Sequence, residues 1–180
     1  MPSRTDDQPD ATSRRWTGGR VLVTLLVVGM LVMWGYVLYL AFVPGRQPPP
    51  DRLSAPAFAT AAQARCRQAL DEVAALPRAA EAASSAQRAA VVEKANLSFA
   101  AMLDDLDGLV PAGEDGELVR AWLADWRIYL GDRAAYVTDL RADPEARLLV
   151  SAKDSLQITE YLDAFAGDNR MTACATPLDV

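Results

Sequence analysis

The stretch VLVTLLVVGMLVMWGYVLYLAFV, residues 21–43, contains no charged side chain. As a helix rising about 1.5 Å per residue it would span roughly 34 Å, and the hydrocarbon core of a bilayer is about 30 Å thick. An apolar run of this length without polar periodicity is typical of a membrane-spanning helix, whereas helices buried in soluble cores are shorter or amphipathic. We therefore predict that residues 21–43 form a transmembrane helix in contact with the lipid bilayer.

A cleaved signal peptide is the main alternative for this run. Its apolar region is usually about 7–15 residues long and is followed by small residues. Here the run is longer, and Pro44 follows it directly where cleavage would have to occur. The sequence therefore favours a permanent anchor.

The orientation of the predicted helix follows from its flanking charges. Arginines stand on both sides: Arg14, Arg15 and Arg20 before the run, Arg46 and Arg52 after it. Positive charge in a short flank favours the cytoplasmic side of a membrane. We predict a single-pass protein of the cell membrane, with residues 1–20 as a disordered cytoplasmic tail and the chain after residue 43 outside the cytoplasm.

The two cysteines support this orientation. Cys66 and Cys174 both follow the apolar run, and an even number of cysteines outside the cytoplasm is typical of an oxidising compartment. We predict that they form a disulfide bond. Two free buried thiols are the alternative.

The chain after the run divides into a proline-rich stalk, residues 44–53, and a helical domain, residues 54–180. Consecutive prolines at 48–50 favour an extended, semi-rigid spacer. Apolar residues then repeat every three or four positions, which predicts helices. The first predicted helix has Ser54 as N-cap and Pro56 in its first turn, and it ends at about residue 76. The others are residues 79–109, residues 117–141, a further piece beginning at Asp143–Pro144–Glu145, and residues 156–165 after a capping box at Ser151 and Asp154.

These helices predict a mainly α fold: one N-terminal transmembrane helix, plus a small antiparallel helical bundle that carries the disulfide outside the cytoplasm. Packing apolar stripes against one another is the natural way to bury them. Residues 147–151 (RLLVS) are the one candidate for a short extended piece. Asn169 and Arg170 follow the predicted helix stop at Gly167, where we expect them to cap backbone carbonyls.

Composition excludes several function classes. The chain has no histidine, so neither a Ser-His-Asp nor a Cys-His catalytic unit can form, and two cysteines are too few for a four-thiolate metal site. The net charge of −6 argues against nucleic-acid binding. We expect no enzymatic activity, no cofactor and no metal.

An acidic run at residues 104–114 matches a calcium-binding loop only in part. Asp105, Asp107 and Glu114 fall at suitable offsets, but Leu103 stands where the first ligand oxygen is needed. We interpret the run as a solvated helix end.

The densest group of polar and aromatic residues lies on one side of the third predicted helix in the domain. Its members follow helical steps: Trp122, Asp125, Trp126, Tyr129, Arg133 and Tyr136. One interpretation is a ligand groove or partner surface in which Arg133 binds an anionic or carbonyl group. The other is that the rings pack in the bundle core and Arg133 pairs with a carboxylate of a neighbouring helix.

The function predicted from sequence is that of a non-enzymatic accessory protein of the bacterial envelope, whose helical domain docks a membrane or envelope protein. The alternative is a sensor-like domain that binds a small ligand in a pocket against the third helix.

Overall fold

The computed structural model describes residues 18–42 and 49–179, with side chains from residue 19 to residue 40 and from residue 49 onward. The cytoplasmic tail predicted for residues 1–20 and the stalk predicted for residues 44–53 therefore fall largely outside the described residues, together with Arg14, Arg15 and Arg46. The chain divides into two units, residues 1–48 and residues 49–180.

The first unit contains helix α1, Gly18–Phe42. The segment Gly19–Leu40 is long and apolar enough to cross a membrane, and none of it is buried within the protein. Its large apolar side chains are 46–67% exposed. The prediction of one long apolar helix at this position is confirmed.

The second unit is a helical domain, which confirms the mainly α fold after residue 49. Its elements are α2 (Pro56–Ala74), a 3₁₀ turn (Ala79–Glu81), α3 (Ser85–Asp107), α4 (Glu114–Ala142), strands β1 (Ala152–Lys153) and β2 (Leu156–Gln157), α5 (Ile158–Asp168) and a 3₁₀ turn (Thr172–Cys174).

Helices α3 and α4 form the centre of the domain and run antiparallel. Arg141 near the end of α4 pairs with Glu93 near the start of α3, and Arg127 further back on α4 pairs with Asp107 at the end of α3. The main core lies where α2 and α5 pack on this pair, and a smaller apolar cluster including Ala89, Val92 and Leu140 fills the other end.

The connection between α3 and α4 depends on two glycines. Gly113 has a φ of 75°, in the left-handed region that glycine adopts without steric cost. At Gly116 the backbone passes so close to the turn that a Cβ would lie 2.0 Å from the carbonyl oxygen of Pro111. The two helices can therefore meet at this short turn.

Several predicted helix boundaries are corrected. The helix predicted from Ala79 begins at Ser85, because Ser84 accepts the Gln87 N–H and acts as N-cap. Helix α2 has Ala55 at its N-cap position, not Ser54. Helix α4 begins three residues earlier than predicted, at Glu114.

The region between α4 and α5 differs most from prediction. No helix begins at Asp143, because the Asp143 carboxylate accepts the Glu145 N–H and closes a turn. The predicted capping box at Ser151 and Asp154 is also wrong. Strands β1 and β2 form an antiparallel hairpin there, and the capping box lies at Gln157 and Glu160. Residues 147–151, the candidate extended piece, carry no regular helix or strand, and β1 begins directly after them.

Both ends of the domain are fixed to the core. Cys66 on α2 and Cys174 form a disulfide with a Cα–Cα distance of 5.1 Å, as predicted. Leu53, which lies in the predicted stalk, is buried in the core, and its N–H donates to Asn169. Asn169 also donates to the carbonyl oxygen of Phe165, so it caps the end of α5 as expected.

Candidate functional site

The six candidate residues on α4 all lie on its buried side. Trp122, Trp126, Tyr129 and Tyr136 are at most 6% exposed, Asp125 is 8% exposed and Arg133 has no exposed surface. The helical spacing therefore groups these side chains as the sequence indicates. The side on which they lie faces the interior of the bundle.

The tryptophans of this group pack against rings from other helices. Trp122 stacks on Phe165 of α5 at a centroid distance of 5.3 Å, and its indole N–H donates to the carbonyl oxygen of Leu162. Trp126 contacts Phe99 of α3 and Tyr129. These contacts join α3, α4 and α5, and they agree with the interpretation that the rings form the bundle core.

Arg133 is the most unusual residue of the group, because a fully buried charge requires compensation. Its two terminal nitrogens donate to the two carboxylate oxygens of Asp179, each at 2.7 Å. Its Nε donates to Asn96 of α3 at 2.6 Å. The guanidinium also lies 5.2 Å from the ring centroid of Phe99 and 5.7 Å from that of Tyr129. All of its faces and edges are therefore in contact with protein.

The electrostatics of Arg133 follow from this environment. Burial alone would lower the pKa of Arg133, but the hydrogen bonds and charge of Asp179, assisted by Tyr129, outweigh burial and raise it. Burial raises the pKa of Tyr129, although the nearby Arg133 opposes the shift. The arginine is therefore a permanent cation and the tyrosine a neutral hydrogen-bonding group.

Asp125 and Tyr136 do not join the Arg133 group. Asp125 pairs with Lys153 of β1 at 2.7 Å, and the Lys153 ammonium lies over the Tyr161 ring. Tyr136 belongs to the smaller apolar cluster. The candidate face is thus divided into an aromatic core, an ion pair to the hairpin and the Arg133 cluster.

Sequence reasoning missed two partners of Arg133. We expected a carboxylate from a neighbouring helix, but Asp179 comes from the segment after the last 3₁₀ turn. Asn96 lies on α3, where its position in the helix gives no sign of a charged neighbour. Both contacts depend on tertiary packing, so no local pattern could have identified them.

Two surface concavities lie beside the candidate residues. A groove of about 430 Å³ runs between α3 and α4; its lining combines apolar residues such as Leu97, Ala100 and Leu130 with polar ones, among them the paired Glu93 and Arg141. A larger cavity of about 530 Å³ lies between the α2–α3 connection and the segment that carries Asp179. Within residues 18–42 and 49–179, no group of three or more acidic or cysteine side chains has the arrangement needed to hold a metal ion.

Comparison with known proteins gives no relative: no family model, no curated protein and no solved structure matches this chain.

Proposed function

We propose that this protein is a non-enzymatic accessory protein of a bacterial envelope, anchored by α1 with residues 1–20 in the cytoplasm and the helical domain outside. The observation that carries the proposal is the apolar segment Gly19–Leu40, which carries no charge from Val21 onward and whose side chains are exposed along its whole length. In water this surface would be strongly unfavourable, and a bilayer is the environment that accommodates it.

The disulfide supports the outside location of the domain. Disulfide bonds persist in oxidising compartments and are rare in the cytosol. The Cys66–Cys174 bond joins two residues 108 positions apart and is completely buried, so it belongs to the folded structure of the domain. A domain built around such a bond fits an extracytoplasmic site.

A site-directed labelling experiment tests the orientation. Single added cysteines, Ser3→Cys in the predicted tail and Ala86→Cys on the exposed side of α3, are treated in intact cells with a membrane-impermeant maleimide. The native cysteines stay paired and do not react. We expect labelling at position 86 only, and labelling at both positions after permeabilisation. Labelling at position 3 without permeabilisation would contradict the orientation, and recovery of the chain in the soluble fraction would contradict the anchor.

Docking to a membrane or envelope protein is the proposed activity, and the groove between α3 and α4 is its proposed location. Leu97 is 67% exposed, and together with Ala100 and Ala134 it gives the groove an apolar surface beside the polar residues that also line it. Grooves of this kind accept the apolar face of an amphipathic helix. We therefore expect the partner to contribute such a helix.

Photocrosslinking from the groove tests this docking. A photoreactive residue at Thr138, which lines the groove, should give one discrete adduct in intact cells, and Leu97→Asp should abolish it. Leu109→Asp is the matched control, because Leu109 is also exposed but does not line the groove. An adduct that survives Leu97→Asp, or that is lost equally with Leu109→Asp, would show that docking does not use this surface.

Small-ligand binding beside α4 is the second candidate function. It is favoured by one observation: Arg133 binds a carboxylate through two parallel hydrogen bonds, and a cavity of about 530 Å³ borders that carboxylate. Ligand pockets typically have volumes of about 300–1,000 Å³ and combine apolar walls with a few fixed polar groups.

A further inference from the structure

The surroundings of Arg133 form a receptor for one carboxylate group, which we call the carboxylate clamp (Arg133, Asn96, Tyr129 and Phe99). Asn96 binds Nε and leaves the two terminal nitrogens parallel and available. The guanidinium also lies over the rings of Phe99 and Tyr129, which help to hold it in place. This is the bidentate geometry in which arginine recognises carboxylates with greatest specificity.

The carboxylate now in the clamp comes from a loosely attached segment. Thr176 is fixed, because its N–H and hydroxyl donate to Asp163 at 2.7 and 3.1 Å. Among the described residues, 177–179 make no backbone hydrogen bond, and Leu178 is completely exposed. The clamp contact of Asp179 is therefore the only hydrogen-bonded attachment that these three residues make within the described part of the chain.

The cavity beside this segment has a mainly apolar lining, which also includes Arg78. It is lined by Leu70, Val73, Leu76 and Val91 on one side and by residues 177–179 on the other. Leu178 borders the cavity but points its side chain into solvent. The segment thus satisfies the charge of Arg133 and leaves the apolar surface next to it uncovered.

We propose that the clamp and the cavity together bind a carboxylate joined to an unbranched apolar chain, a medium-chain fatty acid, whose carboxylate replaces that of Asp179. This inference rests on the second candidate function, ligand binding, and names its ligand class. Replacing one carboxylate by another preserves the pairing of Arg133, while the apolar chain covers surface that the protein's own segment leaves exposed. Each additional buried methylene should tighten binding by up to about fourfold.

A site-resolved photolabelling experiment tests the inference on the full chain in lipid nanodiscs. The probe is decanoic acid with a diazirine in its chain, and adducts are mapped by mass spectrometry. Labelling of α1 measures how much probe enters the bilayer, so it serves as an internal reference. We expect adducts within residues 70–95. Unlabelled decanoate should suppress these adducts, whereas acetate should not. A diazirine probe made from decanol, which has no carboxylate, should not form them.

Two variants make the test specific. Asp179→Asn removes the carboxylate that competes with the probe for Arg133. Because that carboxylate is tethered to the same chain, it acts at an effective concentration of order mM. Adducts within residues 70–95 should therefore rise by about fivefold or more relative to adducts on α1. Val73→Trp fills the cavity and should abolish those adducts while α1 labelling stays unchanged. Near-UV circular dichroism checks that both variants remain folded.

The outcomes separate this inference from the second candidate function. Equal labelling by the decanol probe, or labelling within 70–95 that neither variant changes, would overturn the fatty-acid site. Specific adducts elsewhere in residues 49–179 would overturn this site but leave ligand binding by the domain standing. Adducts confined to α1 would overturn both.

Discussion

At the scale of single residues, Gly116 is the glycine at which the backbone leaves the least room for a side chain. A side chain there would collide with the carbonyl oxygen of Pro111, and that atom belongs to the backbone of a tight turn, so it cannot move aside at low cost. Gly131 offers a matched comparison within the same helix, because a Cβ at that position would meet no atom within 4 Å.

We expect Gly116→Ala to lower the free energy of unfolding by about 1–3 kcal/mol, the usual cost of overpacking. Gly131→Ala should raise the free energy of unfolding by about 0.5–1 kcal/mol, because alanine loses less conformational entropy in a helix than glycine. Urea unfolding of the full chain in detergent micelles, followed by near-UV circular dichroism of the buried tryptophans, measures both. Equal effects of the two substitutions would contradict the close approach at Gly116.

The residues of α4 also show what helical spacing in a sequence can and cannot predict. Spacing on α4 was sufficient to group Trp122, Trp126 and Arg133 on one side, since helical geometry alone decides which side chains are neighbours. Spacing could not say whether that side faces solvent or the core. The core assignment needs Phe99 and Phe165, which come from other helices and pack against these rings.

At the scale of elements, Asp115 joins the start of α2 to the first turn of α4. Its carboxylate accepts the N–H groups of Ser54 and Ala55, at 2.9 to 3.1 Å. These hydrogen bonds from Ser54 and then Ala55 lower the pKa of Asp115 below its ordinary value of 3.8, although slight burial opposes the shift. The charged carboxylate therefore holds the two residues that precede α2 against the start of α4.

The lowered pKa of Asp115 predicts a pH dependence of stability. The contribution of this carboxylate is fully present above about pH 4 and is lost as the pH falls through the folded-state pKa, because the unfolded chain then binds the proton more readily. Asp115→Asn should therefore flatten the loss of stability below pH 4. Asp71→Asn is the control, since Asp71 is exposed and makes no side-chain hydrogen bond within the described residues. Melting temperatures measured between pH 2 and 6 compare the variants.

Asp132 has a similar role between α4 and the chain that precedes the hairpin. Its two carboxylate oxygens accept the N–H and the hydroxyl of Ser151, both at 2.7 Å. Asp132→Ala should lower the free energy of unfolding by about 1–3 kcal/mol, because both donors lose their partner. Asp139→Ala, an exposed substitution on the same helix, should change it by less than about 0.5 kcal/mol. Faster amide hydrogen exchange at Ser151 in Asp132→Ala, but not in Asp139→Ala, would show that the loss of stability arises at this contact.

The elements were predictable to different degrees for a physical reason. Long helices carry a repeated apolar pattern, so α2, α3 and α4 were identified with errors only at their ends. The β1–β2 hairpin has two residues per strand and turns through Asp154 and Ser155, both with positive φ. Such turns are usually signalled by Asn-Gly or Asp-Gly. Without glycine here, the sequence contained no hairpin signal.

At the scale of the whole molecule, the helical domain is a closed unit because its two ends are fixed to the same core. Leu53 enters the core from one end, and Asn169 accepts its backbone N–H. Cys174 enters from the other end and is bonded to Cys66 of α2. The closure was predicted only in part. The cysteine pair was visible in the sequence, whereas the burial of Leu53 was not, because the preceding prolines suggested an extended stalk.

Removing the disulfide should therefore destabilise the whole domain and not one helix. The bond closes a loop of more than 100 residues, and loss of a native disulfide usually costs about 2–5 kcal/mol. Cys66→Ala combined with Cys174→Ala should lower the free energy of unfolding by that amount. Reduction of the native chain should lower the free energy of unfolding by a similar amount, because it breaks the same bond without changing the side-chain packing elsewhere. If the reduced chain unfolds at the same urea concentration as the oxidised chain, the bond does not constrain the domain. If only the double alanine variant is destabilised, the loss comes from the small cavities left by the buried sulfurs.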